Sequence, residues 1–135
     1  MSKQLAIFNG TIAIIGTCIT AALGGWDIAL QVLVTFVILD YITGLTVAII
    51  DKTVSSAVGF KGIVKKVMIF ALLYVAVQAD KATGTSIIRS FTIMFYIANE
   101  GISILENAGK LGVPYPAPLK NILVALKEKS NGEVE

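Results

Sequence analysis

The sequence contains no histidine and a single cysteine, Cys18. That removes an intrachain disulfide, zinc sites of the Cys/His kind and Cys–His or Ser–His nucleophilic chemistry. Charge is scarce as well: 15% of the residues are Asp, Glu, Lys or Arg, where a soluble domain has about a quarter. The scarcity is local. No charged residue occurs from Gln4 to Trp26, and Asp40 is the one charge between Ile28 and Ile50. Proline is confined to Pro114, Pro116 and Pro118.

What replaces charge is apolar mass, 56% of a 135-residue chain long enough for one domain. About 20 apolar residues at 1.5 Å rise cross a hydrocarbon core of about 30 Å, so both charge-poor stretches can span a bilayer. The first, Leu5 to Leu23, exceeds the usual signal-peptide core of about 7–15 residues. It has only Lys3 before it and no small-x-small cleavage site after it. It reads as a retained helix, with Cys18 as a small packing residue inside it.

Small residues recur along this first segment at four-residue steps: Gly16, Thr20 and Gly24, and beside them Ala13, Thr17 and Ala21. Such rows let helix backbones approach closely in lipid, either between subunits or against another helix of the same chain. Gly24 to Asp27 reads as a tight turn with Trp26 at the membrane interface. Segment two follows from Ile28 to Ile50. Asp51 to Lys66 reads as a loop of small and basic residues. Segment three reaches spanning length only when counted from Phe60 to Ala79, with Lys61, Lys65 and Lys66 snorkelling to the headgroups. Asp80 to Ser86 is a polar turn containing Gly84.

Segment four, Ile87 to Asn107, is hydrophobic on one side only. The prolines forbid its continuation. A last helix, Leu119 to Lys129, sets Leu119, Ile122, Leu123 and Leu126 on one face, an interfacial amphipathic pattern. Ser130 to Glu135 should fray. The expected fold is therefore all-α, a polytopic transmembrane bundle of four hydrophobic helices with a C-terminal amphipathic helix. Residues 1–112 form the membrane part; residues 113–135 form a cytoplasmic proline-rich turn, amphipathic helix and tail. Four crossings with the N-terminus inside place Lys3, Lys52, Lys61, Lys65, Lys66, Lys110, Lys120, Lys127 and Lys129 in the cytoplasm, against Lys81 and Arg89 outside. This positive-inside bias predicts a bacterial inner-membrane protein with both termini cytoplasmic, its basic last helix lying on anionic lipid.

Ionisable groups inside a membrane are costly and are functional candidates by default. Here they are Asp40, Arg89 and Glu100. Thr43 and Gly44 lie one turn beyond Asp40, so that face of segment two is polar and small and suits a helix interface. A second Asp in a Gly-x-Gly-Asp setting is missing, which argues against an intramembrane aspartyl protease. In segment four, Arg89, Thr92, Tyr96, Asn99, Glu100, Ser103, Glu106 and Asn107 recur at three- and four-residue steps and form one polar stripe. Three readings stand: the stripe lines water in an oligomer, it is satisfied inside a closed bundle, or the helix lies in the interface. Gly59-x-x-Gly62 lacks the Walker pattern and reads as turn glycines. The lysines are too few and too close to the membrane to argue for nucleic acid. No cofactor or metal site is expected.

Several of these residues also form a familiar order. Asp40-Tyr41-Ile42-Thr43-Gly44, Ser55-Ser56, Gly59, Gly62-Ile63, Lys65-Lys66 and Asp80 come first. Tyr96, Glu100-x-x-Ser103-Ile104-Leu105-Glu106-Asn107 and Leu111-Gly112-Val113-Pro114-x-Pro116 follow. In this order the sequence, over Leu39 to Leu126, resembles the phage holin family that includes the clostridial toxin-secretion holins. The resemblance implies a non-enzymatic protein that accumulates in the cytoplasmic membrane, assembles with itself and permeabilises the membrane at a set time. An endolysin or a large toxin would then cross. It also implies three crossings, one fewer than the hydropathy count. From the residues alone, a small ion channel or transporter subunit and a membrane anchor for a partner protein are the rivals.

Overall fold

A computed structural model describes residues 2–132 and places five helices in chain order: α1 Lys3–Ala22, α2 Ile28–Ile50, α3 Ser56–Thr83, α4 Ile87–Lys110 and α5 Ala117–Gly132. No strand occurs among the described residues. Local chemistry sets the boundaries. The side chains of Ser2, Asp27 and Ser55 accept hydrogen bonds from Leu5, Leu30 and Val58, capping α1, α2 and α3. Gly84, at φ 71°, ends α3 in the left-handed conformation. Gly112, at φ 75°, and the prolines beyond it end α4.

The helices are arranged around α4, which packs against α2, α3 and α5; α2 and α3 touch each other only lightly. Leu30, Leu33, Leu73 and Ile93 fill the centre of the α2–α3–α4 contact and are fully buried. In lipid, apolar side chains gain little from leaving one apolar medium for another, so close packing and internal polar bonds must hold such a bundle together. α1 stands apart: none of its residues is buried.

Of the four hydrophobic segments, two, α1 and α2, are long and apolar enough by length and composition to cross a membrane. Four expectations need correction. The loop expected from Asp51 to Lys66 shrinks to residues 51–55, because α3 starts at Ser56. Gly59 and Gly62 are helical packing notches, not turn residues. The Tyr41 hydroxyl donates to the Gly59 carbonyl at 3.3 Å, and a Cβ on Gly62 would sit 3.1 Å from the Tyr41 ring. The last helix does not lie free as an interfacial helix; it folds back along α4. Leu123 is buried there, in the space that the absence of a side chain at Gly101 leaves open. Ser130 to Gly132 continue α5 rather than fraying, and the rest of the expected tail lies outside the described residues.

Candidate functional site

The centre of the bundle holds an ionic cluster contributed by three helices. Asp40 on α2 and Glu100 on α4 are both buried, and Lys66 on α3 donates to both carboxylates. Asn107, two turns beyond Glu100 on the same face of α4, donates to the Asp40 carboxylate at 3.2 Å and to the Thr43 hydroxyl at 2.9 Å. Each helix supplies its part because the apolar core lies next to it: Val37 precedes Asp40 by one turn, and Ile69 follows Lys66 by one turn. A cavity of about 290 Å³ opens beside the cluster, lined in part by Asp40, Lys66, Ser103 and Asn107.

Two carboxylates share one ammonium, so the cluster carries one more acid than base. Each member depends on the others. A carboxylate or ammonium stripped of its partner in this surrounding faces the full cost of an uncompensated buried charge. Among the described residues no buried side-chain nitrogen or oxygen lacks a hydrogen-bond partner. The polar interior is therefore complete within one chain.

A second polar cluster closes one end of the bundle. The carboxylate of Asp80, on the last turns of α3, accepts from the Ile88 and Arg89 backbone N–H groups at 3.0 and 2.8 Å and from the Thr85 hydroxyl at 2.7 Å. It thereby satisfies the free donors at the start of α4, where Ser86 makes no side-chain cap. Arg89 in turn reaches the turn between α1 and α2. Its Nε donates to the Leu23 carbonyl at 2.7 Å, Nη1 to Asp27 at 2.7 Å and Nη2 to the Gly25 carbonyl at 3.2 Å. The hydrogen bond from Arg89 holds the Asp27 carboxyl below the ordinary carboxylate range; its partial burial opposes this more weakly.

The stripe residues are thus distributed over several partners. Arg89 latches the α1–α2 turn, Glu100 and Asn107 enter the central cluster with Asp40 and Thr43, and Asn99 accepts from Lys127 of α5 at 3.4 Å. Ser103 faces the cavity. Thr92 bonds back to the Ile88 carbonyl, Tyr96 stacks edge-on against Phe95, and Glu106 is exposed. Of the small residues, Gly16 has nothing near it, while Thr20 is half-buried and lines a pocket with Leu30, Val34 and Phe70 of α2 and α3. Gly24 does not belong to the row at all. It lies beyond α1 at φ 90°, and a Cβ there would overlap the Arg89 side chain at Nε and Cδ.

Sequence reasoning missed Lys66, which it assigned to the headgroups, and Lys127, which it assigned to a lipid surface. A signal for Lys66 was present. Two acids inside hydrophobic segments require a cation, and Lys66 is the lysine adjoining the uncharged stretch of segment three.

Comparison with known proteins finds relatives along most of the chain. The chain is 33% identical over 107 residues to a probable holin of Bacillus phage phi105, a match covering 78% of this chain and 79% of that protein. It is 45% identical over 117 residues to a 14.9 kDa protein from the nagH 3′ region of Clostridium perfringens, covering 85% and 89% of the two chains. It is 33% identical over 134 residues to protein YtkC of Bacillus subtilis, 96% of each. No solved structure matches. Residues 17–128 match the bacteriophage holin family, which takes in α2, α3 and α4 whole with most of α5, and it is to this family that the chain belongs.

Proposed function

We propose that this protein is a working holin: copies accumulate in the bacterial cytoplasmic membrane, assemble with one another and open a lesion through which a cell-wall hydrolase or a large toxin passes. The observation that carries this reading is the division of the molecule. Its exterior on α1, α2 and α3 is set with large apolar side chains, while its interior holds an Asp–Lys–Glu cluster and a helix with a polar face. A protein of this kind dissolves in lipid as a monomer and carries within it the polar groups that a water-filled state would use. The positive-inside bias supports an arrangement with the N-terminus and the linker after α4 on the cytoplasmic side. The same bias supports α3 and α4 as further crossings, made tolerable because their charges pair inside the bundle.

The test is expression in a bacterial host that also contains a cytoplasmic reporter enzyme, with potassium efflux followed in parallel. A holin releases the enzyme abruptly after a delay. Loss of potassium with full retention of the enzyme would establish a small ion channel instead, and no permeability change at all would establish an anchor.

A further inference from the structure

Most of the polar stripe of α4 is taken up within the bundle: Glu100 and Asn107 are buried, Arg89, Thr92, Tyr96, Asn99 and Ser103 are partly covered, and Glu106 is exposed. The outer surface of the molecule nevertheless has two sides. Exposed large apolar residues crowd α1, α2 and α3, with Val67, Met68 and Val75 typical of α3. On α4 such residues are limited to Ile87 and Ile88 of the first turn, and on α5 to Leu119 and Ile122. At 100° per residue, the side of α5 opposite Leu123 and Ser130 presents Asn121, Ala125 and Glu128, flanked by Lys129 and Ile122. All five are exposed.

This polar side is not at the edge of the bundle. α5 runs antiparallel to α4, with Leu123 beside Gly101, Lys127 on Asn99, and Ser130 with Asn131 beside Phe91. Those contacts cover α4 from residue 101 back to residue 91, about 15 Å at 1.5 Å per residue. If α4 crosses the membrane, the exposed charges of α5 lie at hydrocarbon depth, where a lipid-facing lysine or glutamate is strongly disfavoured. The opposite charges of Glu128 and Lys129, beside Asn121, suit water or the same face of another copy.

We infer that the outer face of α5, centred on Asn121, Ala125 and Glu128, is the surface that lines the lesion, with α4 behind it as the support that fixes its position. The inference rests on the lesion-forming reading above and specifies which surface meets water. Assembly then places apolar α1–α3 surfaces toward lipid and α5 toward α5 across the lumen, with no unpacking of the central ionic cluster.

The experiment uses the full chain in bacterial membranes, in a Cys18→Ser background, with single cysteines at Ala125 (α5 outer face), Val75 (α3 outer face) and Ser103 (the α4 stripe). A membrane-impermeant, negatively charged thiol reagent is added outside the cells. Labelling of Ala125→Cys should rise at least tenfold at the onset of reporter release, while Val75→Cys and Ser103→Cys stay near their starting rates. A rise at Ser103 without one at Ala125 would overturn the inference and assign the lumen to α4. A second variant, Asn99→Cys with Lys127→Cys, allows α5 to be tied to α4 by a short bifunctional thiol reagent. Release should continue within about twofold of the unbridged protein; its abolition would show that α5 leaves α4 and would also overturn the inference. Failure of the lesion-forming reading is separately visible, because the Cys18→Ser parent would then release no reporter at all, and the inference would fall with it.

Discussion

α1 and α4 are both long helices, yet they meet opposite fates. α1 has an uncharged sequence after Lys3 and no buried residue; α4 carries a polar group at nearly every turn of one face and packs against three other helices. In water the ranking would be reversed, since apolar surface would drive α1 into a core. The contrast is what lipid predicts. An apolar helix has nothing to gain from burial there, whereas each polar group must find a partner, so polarity rather than hydrophobicity selects the centre of the bundle.

The most severe way to break this contrast is to remove the central cation. Lys66→Met leaves Asp40 and Glu100 buried without a counter-charge, and should destabilise the folded protein by about 3–5 kcal/mol. Unfolding in detergent, or the amount of protein retained in membranes, would measure it. Neutralising the partners in the same chain, with Asp40→Asn and Glu100→Gln added, should recover most of the loss. If Lys66→Met alone is harmless, the cluster does not hold α2, α3 and α4 together.

A smaller effect is expected where α1 joins the bundle. Gly24→Ala meets both a positive φ and the Arg89 side chain, and should cost about 1–3 kcal/mol. Gly25, at φ 107°, has open space around it. Gly25→Ala therefore carries the backbone strain without the clash. The difference between the two variants isolates the Arg89 contact, and equal losses would show that the latch contributes nothing.

Within α1 itself the contrast predicts near silence in the monomer. Gly16→Leu should alter unfolding by no more than about 0.5 kcal/mol, since nothing lies within reach of that position; Thr20→Leu, at a half-buried site beside Leu30, Val34 and Phe70, should be the less silent of the two. If the small-residue row joins copies, the ladder of cross-linked oligomers in membranes should shorten all the same. An unchanged ladder would leave the row without a contact of any kind.

Legibility followed the same division. The limits of α2 were readable from Asp27, a cap residue, and from the charge at Asp51 that ends the apolar run. The stripe of α4 was readable from its spacing. The start of α3 was not, because Gly59 and Gly62 signal a turn in isolation and become helical only when the Tyr41 ring is there to fill their notches. Lys66 was hidden for a related reason: a lysine next to an apolar run looks the same whether it reaches for headgroups or for two carboxylates on other helices. α5 shows the limit most clearly. One apolar edge with Leu123 and Leu126 suits a lipid surface and a helix partner equally, and the deciding feature, Gly101, lies on another helix.

The gentlest probe of the comparison is pH, acting on the Asp27–Arg89 pair that ties the α1–α2 turn to α4. The Arg89 hydrogen bond lowers the Asp27 carboxyl below its ordinary range. A carboxyl lowered by folding contributes its stability in full above its unfolded value and loses it as pH falls through the lower, folded value. The latch should therefore be constant across neutral and mildly acidic conditions and weaken only below the ordinary carboxylate range. The Asp27 side chain is 49% exposed, so solvent screens the pair and its worth stays within about 1 kcal/mol. Asp27→Asn should remove this acid dependence. It should leave a flat loss of at most that size, because asparagine still caps α2 but no longer pairs with the guanidinium. The readout is the rate at which a protease cuts near Gly25 in detergent-solubilised protein, compared between wild type and variant as the pH is lowered before protease is added at a common pH. If the two proteins lose protection in parallel down the acid range, another group titrates there and the Arg89 latch is not what holds the turn.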